Sequence, residues 1–185
     1  MDQDITAKKL EERRLVQLAQ IDSLTDLANR AGFQQKLADA LANSRSSRTL
    51  IAVMYLDIDN FKPVNDTYGH EVGDVLLKAI AVRLSQTLRS IDTIARLGAD
   101  EFTIVMEELS KPEDAENVAA KIVQAMQLPY DLDQASASVS VSIGLAFYQG
   151  GMLEPKPLIK QANEMLYRAK EEGRYTYRVA PMAVS

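Results

Sequence analysis

The sequence predicts an α/β fold, an α+β sandwich around a single sheet, on three observations. The run Leu50-Ile51-Ala52-Val53-Met54-Tyr55-Leu56 is continuously apolar, as befits a central strand covered on both faces. Val139, Val141 and Ile143 alternate with serines, the pattern of a half-buried strand. Around these stand segments whose apolar residues recur every third or fourth position, the spacing of helices that bury one face.

Taken in order, residues 3–20 read as a polar helix with Leu10, Leu15 and Leu18 as its main apolar positions, too few for a heptad seam. It is either a solvated lead-in or a connector from an upstream module. Phe33, Leu37, Ala40 and Leu41 mark an amphipathic helix that runs into a Ser/Arg-rich turn at Asn43–Arg48. The central strand ends in acid at Asp57-Ile58-Asp59, and a long helix follows through Val72, Leu76, Ile80, Leu84 and Leu88. Strands near Thr93–Leu97 and Phe102–Met106 flank Gly98-Ala99-Asp100, which predicts a hairpin with Asp100-Glu101 at its tip. Ala115, Val118, Ile122 and Met126 mark another helix, Ile159, Ala162, Leu166 and Ala169 the last one, and Tyr175–Val179 a closing strand.

Composition narrows the chemistry. The chain has 185 residues, with 21 Lys or Arg against 26 Asp or Glu, a net charge of −5. It contains no cysteine and a single histidine, His70. That excludes disulfides, a thiolate nucleophile, cysteine-ligated metal centres and any two-histidine metal site. Carboxylates, Lys and Arg remain, a set suited to oxygen-liganded cations and phosphates. The acidic balance argues against a nucleic-acid binder. A hydrophobic share of 46% and a charged share of 25% are those of an ordinary globular domain. The longest apolar run is too short to span a bilayer, and Met1 to Leu15 is too charge-dense for a signal peptide, so a soluble cytoplasmic domain without membrane contact of its own is expected.

Asp57 stands where a buried strand ends, the edge at which α/β folds place ligands. Asp59, entering a helix at Asn60–Lys62, reads on its own as a helix cap or turn residue. Asp100 and Glu101 reach the same edge if their strand lies beside the first, and clustered acids of this kind are tolerated where a divalent cation sits among them. His70 lies in a segment dense in hydrogen-bonding side chains and, taken alone, reads as structural. Lys170 and Arg174, four residues apart at the end of the last helix, are either C-terminal caps or a two-pronged phosphate clamp.

With these residues in view, the chain resembles a GGDEF domain, the diguanylate cyclase family. The matching segments are Asp22-Ser23-Leu24-Thr25-Asp26-Leu27-Ala28-Asn29-Arg30, the stretch from Leu56 to Asp66, Gly69 to Asp74, Arg96-Leu97-Gly98-Ala99-Asp100-Glu101-Phe102, Ser142-Ile143-Gly144, and Tyr167 to Arg174. The resemblance divides the chain into a connector helix over 1–21, the domain over 22–178 and a tail over 179–185. It implies a central, mostly antiparallel sheet with a ferredoxin- or palm-like βαββαβ core flanked by helices.

It also implies an activity: condensation of two GTP into cyclic di-GMP with release of two pyrophosphates, across a transient two-fold homodimer. Asp57, the Ile58 carbonyl, Asp100 and Glu101 would form the site for magnesium, or manganese in its place. Asp100 would help deprotonate the attacking 3′-hydroxyl, with Glu101 completing the acidic set. Asn65 and Asp74 would recognise the guanine edge, with His70 near the ribose or base. Backbone amides at Asn60, Phe61 and Lys62 and the Lys62 side chain would meet the phosphates, and Lys170 and Arg174 the β/γ end. Arg89 and Asp92 match the family's RxxD inhibitory site for the cyclic di-GMP product, although as a bare pattern they read as a surface ion pair.

The chain departs from the signature where it reads Gly98-Ala99-Asp100-Glu101-Phe102, with alanine for the second glycine. If that position requires a positive φ, alanine costs about 1 kcal/mol there. The alternative function is therefore a catalytically degenerate, GTP- or cyclic di-GMP-binding regulatory domain. The chain also resembles GGDEF domains that precede an EAL phosphodiesterase domain, yet carries no EAL motif, so hydrolysis of cyclic di-GMP by this chain is not expected.

Overall fold

A computed structural model describes residues 2–133, 135–149 and 154–182. In chain order the elements are α1 (Asp2–Leu18), α2 (Arg30–Ser47), β1 (Leu50–Asp59), α3 (Phe61–Tyr68), α4 (His70–Thr87), β2 (Thr93–Arg96), β3 (Glu101–Leu109), α5 (Pro112–Met126), β4 (Tyr130–Asp131), β5 (Ser136–Ala137), β6 (Ser140–Tyr148), α6 (Pro155–Glu171) and β7 (Thr176–Val179).

The apolar run of β1 becomes the middle strand of a five-stranded sheet ordered β2-β3-β1-β6-β7. β1 pairs antiparallel with both β3 and β6, β2 antiparallel with β3, and β7 parallel with β6. Because side chains alternate across a strand, β1 feeds two cores. Ala52, Met54, Leu56 and Ile58 pack with Leu76, Ile80 and Leu84 of α4 and Ile122 and Met126 of α5. Ile51, Val53 and Tyr55 pack with Phe33 and Leu37 of α2 and Leu158, Ala162 and Leu166 of α6. Continuing that alternation, Asp57 and Asp59 emerge on the α2/α6 side, past the end of the second core. The sheet is mostly antiparallel and flanked by helices, as expected.

Several elements differ from their sequence reading, each for a local reason. α2 runs through Ser47 rather than giving way to a turn at Asn43. The Ser44, Ser46 and Ser47 hydroxyls donate back to the Leu41 and Asn43 carbonyls, so these polar side chains lengthen the helix instead of breaking it. The long helix after β1 is two helices, separated at Gly69, whose φ of 91° α-helical backbone cannot adopt. Leu88 is already extended beyond the end of α4. β6 is buried along almost its whole length rather than on one face, because α6 covers its second face at Gly144, Ala146 and Tyr148 and its serines meet a carboxylate instead of solvent. Glu101 is the first residue of β3, so the hairpin tip is Leu97 to Asp100.

The short hairpin of β4 and β5 has no clear sequence signal. It is held through Arg83, which donates to the carbonyls of Ala125 (3.0 Å), Leu128 (2.7 Å) and Pro129 (3.1 Å) and lies 3.7 Å over the Tyr130 ring. Along α1 the apolar side chains Ile5, Leu10 and Leu15 are exposed to solvent, and the Leu18 side chain lies outside the described residues. Residues 183–185 of the expected tail also lie outside them, whereas Ala180 is buried and donates its amide to Leu145. Among the described residues no helix is long and apolar enough to cross a membrane.

Candidate functional site

Register brings the acidic residues together. Asp57 of β1 lies opposite Glu101 of β3 on one side and Ser142 of β6 on the other, and directly paired residues in antiparallel strands share a face. The Ile58 amide donates to the Asp100 carbonyl at 3.1 Å, tying the hairpin loop to β1 one residue beyond Asp57. The loop is braced from behind as well. Arg96 donates to the Ala99 carbonyl at 3.1 Å and to Asp22 at 3.1 Å, while Asp22 also accepts the Thr25 amide (3.0 Å) and hydroxyl (2.7 Å). Burial works against the ionised Asp22, but the Thr25 and Arg96 donors outweigh it and hold the carboxyl below its ordinary value. The brace is therefore fully present at neutral pH and weakens as pH falls through that lowered value.

At the Asp57 carboxylate, one oxygen accepts the Lys170 ammonium from the last turn of α6. The other oxygen, Oδ1, is buried and accepts no hydrogen bond from the protein. Burial pushes the Asp57 carboxyl up, Lys170 pulls it down and the neighbouring Asp100 pushes it up again, with a raised value as the net result. Glu101 reaches towards Tyr55 on the same face, where burial and its charge push the Tyr55 hydroxyl up to about 12. An orphaned carboxylate oxygen beside a second carboxylate is what a hard cation would satisfy. No group of three acidic or histidine side chains converges as a metal cage among the described residues.

Asp59 is not the cap of α3. Asn60 holds the cap position in left-handed backbone (φ 62°), and no side chain caps the helix, so its first amides are left without a side-chain acceptor. Asp59 is instead buried against β6, accepting the hydroxyls of Ser140 (2.7 Å) and Ser142 (2.8 Å), with Arg174 Nη1 at 3.4 Å. Neither role of Ser140 or Ser142 was legible as chemistry, although serines alternating through an otherwise apolar strand were the available signal. Lys62 is exposed beside the start of α3.

Asn65 and Asp74 sit on the adjoining helices α3 and α4. The Asn65 Oδ1 is buried without a partner and occupies the space above Gly73, where an added Cβ would lie 1.7 Å from it. Asp74 and His70 are exposed on α4, with His70 as its first residue.

Arg89 and Asp92 lie apart from the acidic edge, ahead of β2, and form the ion pair that the bare pattern suggests. Arg89 donates to Asp92 from its backbone (2.9 Å) and twice from its guanidinium (3.2 and 2.8 Å), and also to the Glu107 carbonyl (2.7 Å). The Asp92 side chain is fully buried in this arrangement.

The signature loop carries no backbone penalty at Ala99. Its φ is not positive, nor is that of Gly98, so the conditional cost of alanine does not arise. Asp26, by contrast, is left-handed at φ 61° in the turn that follows α1. A surface depression of about 1350 Å³ along α6 is lined by Lys156, Lys160, Asn163, Tyr167 and Arg168 and includes none of the acidic-edge residues.

Residues 19–176 match the family described as "Diguanylate cyclase, GGDEF domain". A crystal structure of the GGDEF domain alone of TpbB (YfiN) from Pseudomonas aeruginosa superposes with a TM-score of 0.83 at 39% identity, covering 87% of this chain and 94% of that one. The GGDEF domain of DgcB from Caulobacter crescentus, solved in complex with c-di-GMP, gives a TM-score of 0.80 at 28% identity over 89% of this chain and 94% of that one. Among curated proteins, the bifunctional diguanylate cyclase/cyclic di-GMP phosphodiesterase MucR of Pseudomonas aeruginosa is 40% identical over 165 residues, 89% of this chain. The chain spans 24% of the length of MucR and 40% of that of diguanylate cyclase TpbB.

Proposed function

We propose, for a chain that belongs to the GGDEF domain family of diguanylate cyclases, that it condenses two GTP into cyclic di-GMP with loss of two pyrophosphates. The observation that carries this reading is the Asp57 carboxylate, with one oxygen on Lys170, the other buried and unpartnered, and Asp100 beside it. Asp57, the Ile58 carbonyl and Asp100, with Glu101 on the same face, are the groups that would hold magnesium. When bound, the ion would neutralise triphosphate charge and polarise the reacting phosphate.

The chain's own residues would do the rest. Asn65 offers its unpartnered amide oxygen, and Asp74 its carboxylate, to the guanine edge, with His70 beside the ribose or base. The uncapped amides at Asn60, Phe61 and Lys62, together with the Lys62 ammonium, receive phosphate oxygens. Lys170 and Arg174 take the β/γ end, which requires Lys170 to share or release Asp57 when nucleotide arrives. Asp100 accepts the proton of the attacking 3′-hydroxyl, with Glu101 sustaining the negative field. One domain offers one nucleotide, so attack in line requires a second copy facing the first across a two-fold axis. Product control at Arg89 and Asp92 belongs to the same reading. There, binding of cyclic di-GMP has to open an ion pair whose carboxylate is fully buried.

Incubating concentrated protein with GTP and Mg²⁺ should yield cyclic di-GMP by chromatography, and chelation with EDTA should abolish it. GTP binding without a dinucleotide product would favour a catalytically silent regulatory domain. Ala99→Gly should change turnover by less than about twofold, since the Ala99 backbone carries no left-handed strain to relieve. A large gain would mean that the methyl group, not the backbone, obstructs the nucleotide.

A further inference from the structure

Asp59 is a buried carboxylate to which the chemistry above gives no task. Its side chain is fully shielded from solvent, yet its partners at normal hydrogen-bond distance are neutral: the Ser140 and Ser142 hydroxyls at 2.7 and 2.8 Å. A neutral amide could accept both. What a carboxylate adds is charge, and burying charge is costly unless a cation faces it. That cation is Arg174, whose Nη1 lies 3.4 Å away.

The backbone carrying Arg174 is itself unusual. Gly173, Arg174 and Tyr175 follow one another with φ of 123°, 62° and 51°, a run that two non-glycine residues adopt only where the surroundings hold them. Asp59 supplies part of that hold by accepting the Tyr175 amide at 3.3 Å, and the Arg174 amide bonds the Ala169 carbonyl at 2.9 Å. The Arg174 side chain is 49% exposed, and apart from Nη1 its guanidinium donors have no hydrogen-bond partner among the described residues.

We propose that Asp59 is a positioning residue for polyphosphate recognition. It faces the Arg174 guanidinium at Nη1 and holds the Arg174–Tyr175 backbone by the Tyr175 amide, leaving the remaining guanidinium donors to take a terminal phosphate. A planar fork with five donors serves both acceptors in a fixed orientation, whereas an ammonium, a point charge on a flexible stem, is not preorganised by one of them for the other. The inference rests on the proposed GTP site and names what sets its preference for a triphosphate over a monophosphate.

The test compares dissociation constants for 3′-deoxyguanosine triphosphate and monophosphate, which cannot condense, in the presence of Mg²⁺. Asp59→Asn should reduce the preference for triphosphate by about fivefold to tenfold, the worth of one ordinary hydrogen bond. Arg174→Ala should reduce it at least as much, and Asp59→Asn should add nothing in an Arg174→Ala background. Full additivity in that cycle would overturn the proposal, because a purely structural Asp59 would act independently of Arg174. Arg174→Lys keeps the charge at an exposed position and should lose most of the preference, so the proposal stays testable even if Asp59→Asn does not fold. Full retention by the lysine variant would overturn it. If Arg174→Ala lowers the preference and Asp59→Asn does not, the inference fails alone. If the unaltered chain shows no triphosphate preference, the nucleotide reading fails with it.

Discussion

Asp57→Asn is expected to lower cyclase turnover by about 10³-fold, the scale on which removal of a key charge-stabilising group acts, while melting no lower than the unaltered chain. Both halves follow from the same burial. The Asp57 carboxyl is pushed up chiefly by desolvation, with Asp100 adding to it and Lys170 opposing. A group whose pKa rises on folding contributes stability that is complete below its unfolded value, near 3.8, and lost as pH climbs through the raised folded value. At neutral pH the ionised Asp57 therefore costs stability, and asparagine removes that cost while keeping an acceptor for Lys170. Thermal melts at pH 7 beside a chromatographic turnover assay decide it. A variant that loses both activity and several degrees of melting temperature would show Asp57 to be a structural ion pair with Lys170.

Gly144→Ala is expected to act in the opposite sense, on the scaffold first. A Cβ at this position would lie 2.1 Å from the Ala162 carbonyl oxygen and 2.3 Å from the Leu166 amide nitrogen. These are backbone atoms of α6 and cannot be moved by rotating a side chain. α6 would have to shift away from β6, opening the core formed by Leu158, Ala162 and Leu166. Overpacking of this kind costs about 3 kcal/mol, which in a domain of this size lowers the melting temperature by about 10 °C. The same shift displaces Lys170 in the last turn of α6 and Arg174 in the turn after it, so turnover should fall with stability. A thermal melt within about 2 °C of the parent would show that α6 can move without penalty.

What was legible in the sequence is what short-range pattern encodes. The apolar run of β1, the helical spacing of α2, α4, α5 and α6 and the acids flanking Gly98 and Ala99 each announce themselves within a dozen residues. The split at Gly69 was a weaker local signal, because the apolar rhythm of α4 masks a break that depends on one φ angle. Asp59 could not be read at all. Its partners Ser140, Ser142, Arg174 and Tyr175 lie more than 80 residues away, and a carboxylate ahead of a helix locally resembles a cap. Arg89 and Asp92 show a third case: their pairing is local and expected, but the complete burial of Asp92 depends on the fold around β2 and β3.

The double pairing of β1 has a consequence for how sequences of this architecture can diverge. Asp57 faces Glu101 and Ser142 only because β1 is in a fixed register with both neighbours. A single residue inserted in β1, β3 or β6 would rotate every later side chain of that strand to the opposite face; in β1 that takes Asp57 from the site and drives it towards the apolar core. Length variation is therefore disfavoured in 52–59, 101–106 and 140–148, whereas β3 already shifts register between Met106 and Leu109, at the end of the strand away from the acids. Such variation is better tolerated in the connection from α5 to β6, around the exposed Asp133, where the two-residue strands β4 and β5 pair only with each other. The acidic edge and the more variable connection are thus separated by hydrogen-bond register rather than by distance along the chain.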